Sequence, residues 1–169
     1  IRRTVFAPQM GTACRAPTKI FAVIGHPISH SLSPIMHNAA FKKLHIDAHY
    51  QALDINRMKL KNIFQKIRTG EISGINVTVP HKQAVIPYVD ALSPTAKKTR
   101  SVNTVYWHQN QLIGDSTDGA GYIASLKYEA QFNPKNQNVV ILGAGGASLA
   151  IAVALGEVGI KSLTLVNRH

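Results

Sequence analysis

The sequence predicts an α/β protein that consists of an N-terminal α/β domain with a mainly parallel sheet and the start of a second unit. From Ile20 onward, short apolar runs alternate with segments that have the apolar spacing of helices. Strands that alternate with helices of about 10 to 15 residues are typical of a parallel sheet. The polar stretch QFNPKNQN, residues 131–138, interrupts this pattern, and one further strand, glycine turn, helix and strand follow it. We therefore expect a lead-in over residues 1–19, a first domain over residues 20–130 and a second unit over residues 136–169.

The first domain is predicted to contain strands and helices in regular alternation, closed by a hairpin and a helix. An apolar run bounded by turn residues indicates a strand, and apolar residues three and four positions apart indicate a helix. In order, the segments are strand KIFAVIG, helix SPIMHNAAFKKLH, strand AHYQALDI, helix RMKLKNIFQKIRTG, strand GINVTV, helix PTAKKTR, hairpin SVNTVYWHQNQLIG and helix DGAGYIASLKYEA.

Charge and composition exclude some classes of protein. Nineteen Lys and Arg against eight Asp and Glu give a net charge of +11, but the basic residues are scattered and no aromatic interleaving or nucleic-acid-binding motif accompanies them. We interpret them as a solvated basic surface that attracts small anions rather than as a nucleic-acid site. No apolar run approaches the roughly 18 residues of a membrane span, and the single Cys14 favours a reducing compartment, with cytoplasm as the default. The oligomeric state stays open.

The first 19 residues differ from the rest of the chain. They contain four basic residues, no acidic residue and two prolines, without apolar periodicity. We interpret them as a flexible lead-in. An Arg-rich, acid-poor segment is compatible with a transit peptide, and the absence of an initial Met makes upstream sequence an equally good interpretation.

A glycine turn opens the helix of the second unit. Gly143, Gly145 and Gly146 follow the strand NVVIL and precede the helix ASLAIAVALGEVG, which is the context that the dinucleotide-binding fingerprint requires. Glycines let the backbone approach a pyrophosphate, and the helix N-terminus supplies free N–H donors. Ser148 stands where the third glycine of the strict fingerprint would be, a position that tolerates a small residue. The alternative is an ordinary glycine turn in a βαβ unit.

The end of the following strand indicates the choice of cofactor. An NAD site usually carries an acidic residue there that binds the ribose 2′-hydroxyl. This sequence has Asn167 and Arg168 instead. Because a guanidinium binds a 2′-phosphate that a carboxylate would repel, the sequence predicts NADP. The predicted cofactor-binding residues are Gly143, Ala144, Gly145, Gly146, Ala147, Ser148, Asn167 and Arg168.

Five motifs in a fixed order closely resemble shikimate dehydrogenases, and the resemblance extends from Ile20 to His169. The motifs are S-x-S-P-x-x-H-N from Ser31, NVTVPHK at residues 76–82, VNTV at 102–105, STDGAGY at 116–122 and GAGGAS at 143–148. The resemblance implies a substrate domain followed by a Rossmann domain that binds NADP. It also implies the reduction of 3-dehydroshikimate to shikimate, a step of aromatic amino acid biosynthesis.

The resemblance assigns substrate contacts to both ends of the first domain. It implies that Ser31 and Ser33 hydrogen-bond the substrate carboxylate, although Ser33 could instead cap the helix that Pro34 begins. The residues that it places on the hydroxyl side of the substrate are Thr78, Asn103 and Asp118, with Asn76 in the same pocket. Asn76-Val77-Thr78 also fits a glycosylation acceptor, which a parallel strand in a cytoplasmic protein makes a poor interpretation.

Lys82 corresponds to the catalytic lysine of the family, and Asp118 to the carboxylate that orients it. Hydride addition to a ketone leaves an oxyanion that must be protonated, and an ammonium within reach both stabilises and neutralises it. Without the resemblance, Lys82 would be an ordinary surface lysine. His26, His30 and His37 could suggest a metal, but prolines interrupt their spacing and no coordination set is complete, so we expect none.

Several features depart from the family pattern. Arg100 and Ser101 replace the usual Gly-Ala before VNT, and Ser116 replaces the usual Asn. The chain ends at His169, directly after the second strand of the nucleotide unit, so the resemblance implies an incomplete form in which we expect no turnover. The alternatives are a quinate/shikimate dehydrogenase of broader specificity and a noncatalytic remnant that binds shikimate-like carboxylates.

Overall fold

The structure, a computed structural model, describes residues 18–168. Residues 1–17, which include Cys14 and most of the predicted lead-in, lie outside the described residues, as does His169. In the described part, the strands are β1 (Lys19–Gly25), β2 (Ala48–Asp54), β3 (Gly74–Val77), β4 (Ala91–Leu92), β5 (Thr104–His108), β6 (Gln111–Asp115), β7 (Asn138–Leu142) and β8 (Ser162–Val166). The α-helices are α1 (Ser33–Lys43), α2 (Leu60–Arg68), α3 (Pro94–Thr99), α4 (Asp118–Tyr128) and α5 (Gly146–Val158).

The first six strands form one sheet in the order β2-β1-β3-β5-β6-β4. Strand β1 pairs in parallel with β2 and β3, and β4 pairs in parallel with β6. Strand β5 is antiparallel to both β3 and β6, and β5 and β6 together form the predicted hairpin. The prediction of a mainly parallel sheet is confirmed.

Apolar side chains of the first sheet and its helices form the main core. Helix α2 buries Leu60, Ile63, Phe64 and Ile67, which recur at the spacing of one helical face. This face packs with Ala22 and other apolar side chains of the central strands. The amphipathic sequence of α2 therefore attaches it to the sheet and holds the strand ends in place.

The last two strands form a separate parallel pair, in which Asn138 is opposite Ser162. Helix α5 connects them and packs chiefly against α4. A Cβ atom at Gly119 of α4 would lie 2.6 Å from the carbonyl oxygen of Ala150, so the two helices approach closely at a glycine. An ion pair of 2.5 Å between Lys98 of α3 and Glu157 adds a second contact with α5.

Three short segments differ from the sequence-based prediction. The predicted helix over residues 57–70 begins as a 3₁₀ turn over Arg57–Lys59, because the Asn56 side chain accepts a hydrogen bond from the Lys59 N–H. The 3₁₀ turn Ile86–Tyr88 and the two-residue strand β4 were not predicted. Both are too short to show a periodic pattern, and β4 is fixed by long-range pairing with β6. None of the helices within residues 18–168 has the length and apolar character of a membrane span.

Candidate functional site

The topology brings the predicted substrate residues to one edge of the first sheet. The carboxyl ends of β1, β2 and β3 share this edge, and antiparallel β5 begins there. Ser31 and Ser33 follow β1, Thr78 and Lys82 follow β3, and Asn103 directly precedes β5. In open α/β sheets, ligands bind outside the carboxyl ends of the strands. The fold therefore places residues from distant parts of the sequence where such proteins form a binding site.

Lys82 and Asp118 form an ion pair at this edge. The distance from Lys82 Nζ to Asp118 Oδ2 is 2.5 Å, and the two side chains are only 16% and 24% exposed. The backbone of Lys82 is held by the Val102 N–H, which donates to its carbonyl oxygen at 2.8 Å. Asp118 begins α4, where the helix dipole favours a negative charge. Partial burial strengthens the electrostatic interaction of the pair relative to one in water.

Asn103 orients the second oxygen of the Asp118 carboxylate. Its Nδ2 donates to Asp118 Oδ1 at 2.7 Å and to Thr117 Oγ1 at 2.9 Å. Its Oδ1 accepts a hydrogen bond from the Thr117 N–H at 2.9 Å. Because a backbone N–H can only donate and an ionised carboxylate can only accept, these contacts fix which way the amide points.

Asn76 is hydrogen-bonded on both sides within the sheet. Its Oδ1 accepts from the Tyr50 hydroxyl at 2.6 Å, and its Nδ2 donates to Thr104 Oγ1 at 3.2 Å. Tyr50 is buried, and burial raises the pKa of its hydroxyl to about 12. The Asn76 amide is thus committed to internal contacts, which agrees with an interior role rather than with glycosylation.

Ser31 and Ser33 lie on the connection from β1 to α1. The Ser31 hydroxyl accepts a hydrogen bond from the Ser33 N–H at 3.3 Å. The alternative that Ser33 caps the helix is wrong in this structure, since α1 begins at Ser33 itself, after Leu32, and has no side-chain cap. Thr78 is half-buried beside Gly25, where a Cβ would lie 2.7 Å from its methyl carbon. No hydrogen bond among the described residues joins either serine or Thr78 to the Lys82–Asp118 pair.

The glycine turn connects β7 to α5 as the fingerprint requires. Gly143 has φ of +105°, a conformation that favours glycine, and Gly145 is the residue before α5. The first turn of α5 has no side-chain cap and no acidic residue, so its N–H groups remain available to an anion. The Gly143 N–H donates to the Val166 carbonyl at 2.7 Å. This contact places the residues after β8, Asn167 and Arg168, at the same edge as the turn.

A cleft separates the turn from the segment that carries Lys82. It has a volume of about 370 Å³, and its walls are Val79, Pro80, Lys82 and Gln83 on one side and residues 144–147 on the other. A Cβ at Gly146 would lie 3.8 Å from the Lys82 Cδ. The lysine and the glycine turn therefore face one another across the same opening.

Two of the three histidines that suggested a metal have other contacts. His26 Nδ1 is 2.5 Å from Asp54 Oδ1, and the His37 ring stacks on Tyr50 with 4.2 Å between centroids. Within residues 18–168, no group of three His, Cys, Asp or Glu residues is arranged to hold a metal ion.

The departures from the family pattern have structural consequences. Arg100 ends α3 in the left-handed conformation with φ of +47°, the conformation that the glycine usual at this position adopts freely. Ser101 and Ser116 are buried, and their hydroxyls have no hydrogen-bond partner among the described residues. The Asn103 side chain accepts a hydrogen bond from the Thr117 N–H, so its amide is held without a contact from Ser116.

Three residues of this site were not predicted from the sequence. Tyr50, Thr104 and Thr117 all bond to predicted site residues. Thr104 lies inside the quoted VNTV motif, so the motif itself contained a signal for it. Thr117 likewise lies inside the quoted STDGAGY motif, whereas Tyr50 shows no such signal, because only the pairing of β2, β1 and β3 brings it to the site.

Comparisons with known proteins identify relatives with similar sequences. Residues 23–105 match a family model described as the shikimate dehydrogenase substrate binding domain. Shikimate dehydrogenase (NADP(+)) of Geobacillus sp. strain WCH70 is 43% identical over 150 residues, which are 89% of this chain and 54% of the relative. The enzyme of the same name from Symbiobacterium thermophilum is 44% identical over 154 residues, 91% of this chain and 52% of the relative. The chain spans about half the length of the curated relatives it matches.

Solved structures show the same fold. A shikimate dehydrogenase in complex with NADP+ superposes with a TM-score of 0.84 at 39% identity, over 89% of this chain and 52% of that one. Shikimate 5-dehydrogenase of Thermus thermophilus, in complex with NADP(H) and shikimate, gives a TM-score of 0.81 at 38% identity, over 89% and 56% of the two chains. The resemblance inferred from the motifs and the predicted fold class are confirmed.

Proposed function

Because residues 23–105 belong to the family of shikimate dehydrogenase substrate binding domains, we propose that this protein takes part in the NADP-dependent reduction of 3-dehydroshikimate to shikimate. The observation that carries the proposal is the Lys82–Asp118 ion pair, which faces the glycine turn across one cleft. In this proposal residues 20–130 form the substrate domain, and the chain from residue 136 begins the NADP-binding domain.

Lys82 is the catalytic acid in the proposed reaction. Its ammonium donates a hydrogen bond to the ketone oxygen and transfers a proton to that oxygen as negative charge develops there. In the oxidative direction the amine takes the proton of the substrate hydroxyl. Asp118 holds the lysine in place, and its Oδ2 is the acceptor that keeps Nζ directed into the site.

The other predicted residues bind the substrate. Thr78, Asn103 and Asp118 line the hydroxyl side of the ring, on the same sheet edge as Lys82, and Asn76 belongs to the same pocket. Ser31 and Ser33 bind the carboxylate from the start of α1, where helical N–H groups and the helix dipole favour an anion. The +11 net charge adds a general attraction for anionic substrates.

The residues around the glycine turn fit a dinucleotide. When bound, NADPH supplies the hydride that the ketone carbon receives, and NADP+ accepts it in the reverse direction. A Cβ at Gly145 would contact nothing within 4 Å, so the backbone there is open to a ligand. The turn residues, Gly143 to Ser148, bind the pyrophosphate through their N–H groups. Asn167 and Arg168, at the end of β8, bind the adenosine ribose and its 2′-phosphate.

The compartment is part of the proposal. A sequence with a single cysteine and a small polar substrate supports a cytoplasmic protein. The proposed partners are the substrate and the nucleotide.

Substitution of the lysine tests the proposal. In a protein that carries this sequence together with the C-terminal half that the relatives possess, we expect Lys82→Ala to lower kcat by about 10²- to 10⁴-fold, the contribution of a general acid. Shikimate affinity, measured by calorimetry, should change much less. The control is Lys61→Ala on the exposed face of α2, which should leave kcat unchanged.

Three results would decide between the alternatives. Equal kcat in Lys82→Ala and the unsubstituted protein would remove Lys82 from the mechanism. Shikimate binding without turnover in the extended protein would support a noncatalytic remnant instead. Equal kcat/KM for quinate and shikimate would identify a dehydrogenase of broader specificity.

A further inference from the structure

An unbroken chain of hydrogen bonds runs from the buried Tyr50 to the Lys82–Asp118 pair. The Tyr50 hydroxyl donates to Asn76 Oδ1 at 2.6 Å, and Asn76 Nδ2 donates to Thr104 Oγ1 at 3.2 Å. The Thr104 hydroxyl donates to Asn103 Oδ1 at 3.0 Å. From Asn103 the chain continues through Nδ2, which donates to Asp118 Oδ1 at 2.7 Å.

The direction of this chain is determined from its Asp118 end. Asn103 is fixed by an obligate donor, the Thr117 N–H, and by an obligate acceptor, the carboxylate. The Thr104 hydroxyl therefore faces the side-chain oxygen Oδ1 of Asn103 and must donate its one proton to that oxygen. It has only a lone pair left for Asn76, whose Nδ2 must donate to it.

The Tyr50 hydroxyl is the first donor of this chain. Once Asn76 presents its Nδ2 to Thr104, its Oδ1 faces the Tyr50 hydroxyl, which must donate. Because burial raises the pKa of Tyr50 to about 12, this hydroxyl keeps its proton at neutral pH. Every donor in the chain thus points toward the carboxylate, an arrangement in which successive hydrogen bonds polarise and strengthen one another.

Tyr50 is a fixed starting point for the chain. The Asn38 side chain forms two hydrogen bonds with the backbone of Tyr50, at 2.8 and 2.9 Å. The ring of Tyr50 also stacks on His37. Two residues of α1 therefore hold the tyrosine on β2, so that the position of its hydroxyl is set by both elements.

We propose that Tyr50 and Thr104 are positioning residues, which set the orientation of the Asn76 and Asn103 amides and through them the Asp118 carboxylate that holds Lys82. Neither residue needs to touch the substrate for this role. The effect of these residues on catalysis by Lys82 rests on the proposed function, but their effect on the orientation of the amides does not.

A pair of substitutions at Thr104 provides the sharpest test. Thr104→Val keeps the shape and removes the hydroxyl, whereas Thr104→Ser keeps the hydroxyl and removes a methyl group. In the 169-residue chain, ¹H–¹⁵N spectra of side-chain amides should show a displaced Asn103 Nδ2 resonance in Thr104→Val and an unchanged one in Thr104→Ser. Circular dichroism melting curves identify any variant that fails to fold.

Tyr50→Phe tests the far end of the chain. It should displace the Asn76 resonance strongly and the Asn103 resonance, which lies further along the chain of hydrogen bonds, more weakly. The matched control is Tyr88→Phe. Tyr88 also stacks on an aromatic ring, Phe64, but its hydroxyl lies outside this chain of hydrogen bonds. It should displace neither resonance.

Kinetics of the protein extended by the C-terminal half supply the second measurement. Thr104→Val should lower kcat about tenfold, the effect of one hydrogen bond, with KM for shikimate within about twofold. Thr104→Ser should restore kcat. Equal behaviour of the Val and Ser variants, or an Asn103 resonance that moves in neither Thr104→Val nor Tyr50→Phe, would overturn the proposal. If the extended protein does not oxidise shikimate at all, the proposed function fails, and the amide resonances alone decide the positioning role.

Discussion

The strands of the two sheets have similar apolar sequences but very different burial. In β1, residues 22–25 are all buried, whereas every residue of β8 is exposed, and Leu142 at the end of β7 is 81% exposed. Helix α2 covers the first sheet with a complete apolar face. Helix α5 instead packs chiefly against α4, so the strand pair β7–β8 has no comparable cover among the described residues.

The first region is the six-stranded sheet with its helices, and the second region is the unit β7–α5–β8. An apolar run specifies a strand in both regions, but burial depends on which helices pack against the resulting sheet. In the first region the stability comes from a core that its own elements complete. In the second region the βαβ unit supplies a glycine turn and strand ends, and its attachment depends chiefly on the contact between α4 and α5.

The largest expected effect tests the difference in burial with one substitution type. Leu60 on α2 is 1% exposed and belongs to the main core, so Leu60→Ala should lower the free energy of unfolding by about 2 to 5 kcal/mol. Leu142→Ala in β7 should change it by less than about 0.5 kcal/mol, because the side chain is already in water. Urea unfolding of both variants of the 169-residue chain measures the two values. Similar losses would mean that β7 is covered in solution.

The second expected effect concerns the contact between the two regions. Gly119→Ala places a Cβ 2.6 Å from the Ala150 carbonyl and 2.8 Å from the Ala154 Cβ, so α5 must move away from α4. Such overpacking should cost about 1 to 3 kcal/mol. The control is Gly121→Ala on the same helix, where a Cβ meets nothing within 4 Å and should stabilise the helix by about 0.5 to 1 kcal/mol. Thermal melts of the two variants should move in opposite directions, and a joint increase in Tm would refute close packing of α4 on α5.

The smallest expected effect tests whether the second region alone selects the cofactor. Under the proposed function, Arg168→Glu exchanges a phosphate-binding group for a ribose-binding one, and it should shift the ratio of kcat/KM for NADP to that for NAD by about tenfold or more toward NAD. The KM for shikimate should not change, because the substrate residues lie in the first region. Steady-state kinetics with both nucleotides on the extended protein measure this ratio.

The control for this substitution has the same change in charge. Lys161→Glu, on the exposed turn before β8, should leave the nucleotide preference as it is. Equal loss with both nucleotides in Arg168→Glu would show that Arg168 does not contact the 2′-phosphate. A raised KM for shikimate would show that the two regions do not divide the functions in this way.

Periodicity and turn residues in the sequence determined the order and type of nearly all elements. The alternation of strands and helices, the hairpin at HQNQ and the glycine turn with its helix all follow from local patterns, since apolar spacing and glycine conformation act over a few residues. The motifs also predicted the resemblance to shikimate dehydrogenases and indicated Lys82, Asp118, Asn103 and Asn76 as candidate site residues. The exceptions within the fold are β4 and the 3₁₀ turns, which are too short to carry a pattern.

Tertiary structure alone decided which of these residues meet and which strands are covered. Lys82 and Asp118 are 36 positions apart, and Tyr50 and Asn76 are 26 apart. The first contact exists because antiparallel β5 lies between β3 and β6, and the second because β2, β1 and β3 pair in parallel. The sequence could not reveal that Thr104 completes the chain between the two amides, because hydrogen-bond direction depends on three-dimensional placement. For the same reason the apolar sequence of β8 predicted a strand but not its exposure, which is set by where α5 packs.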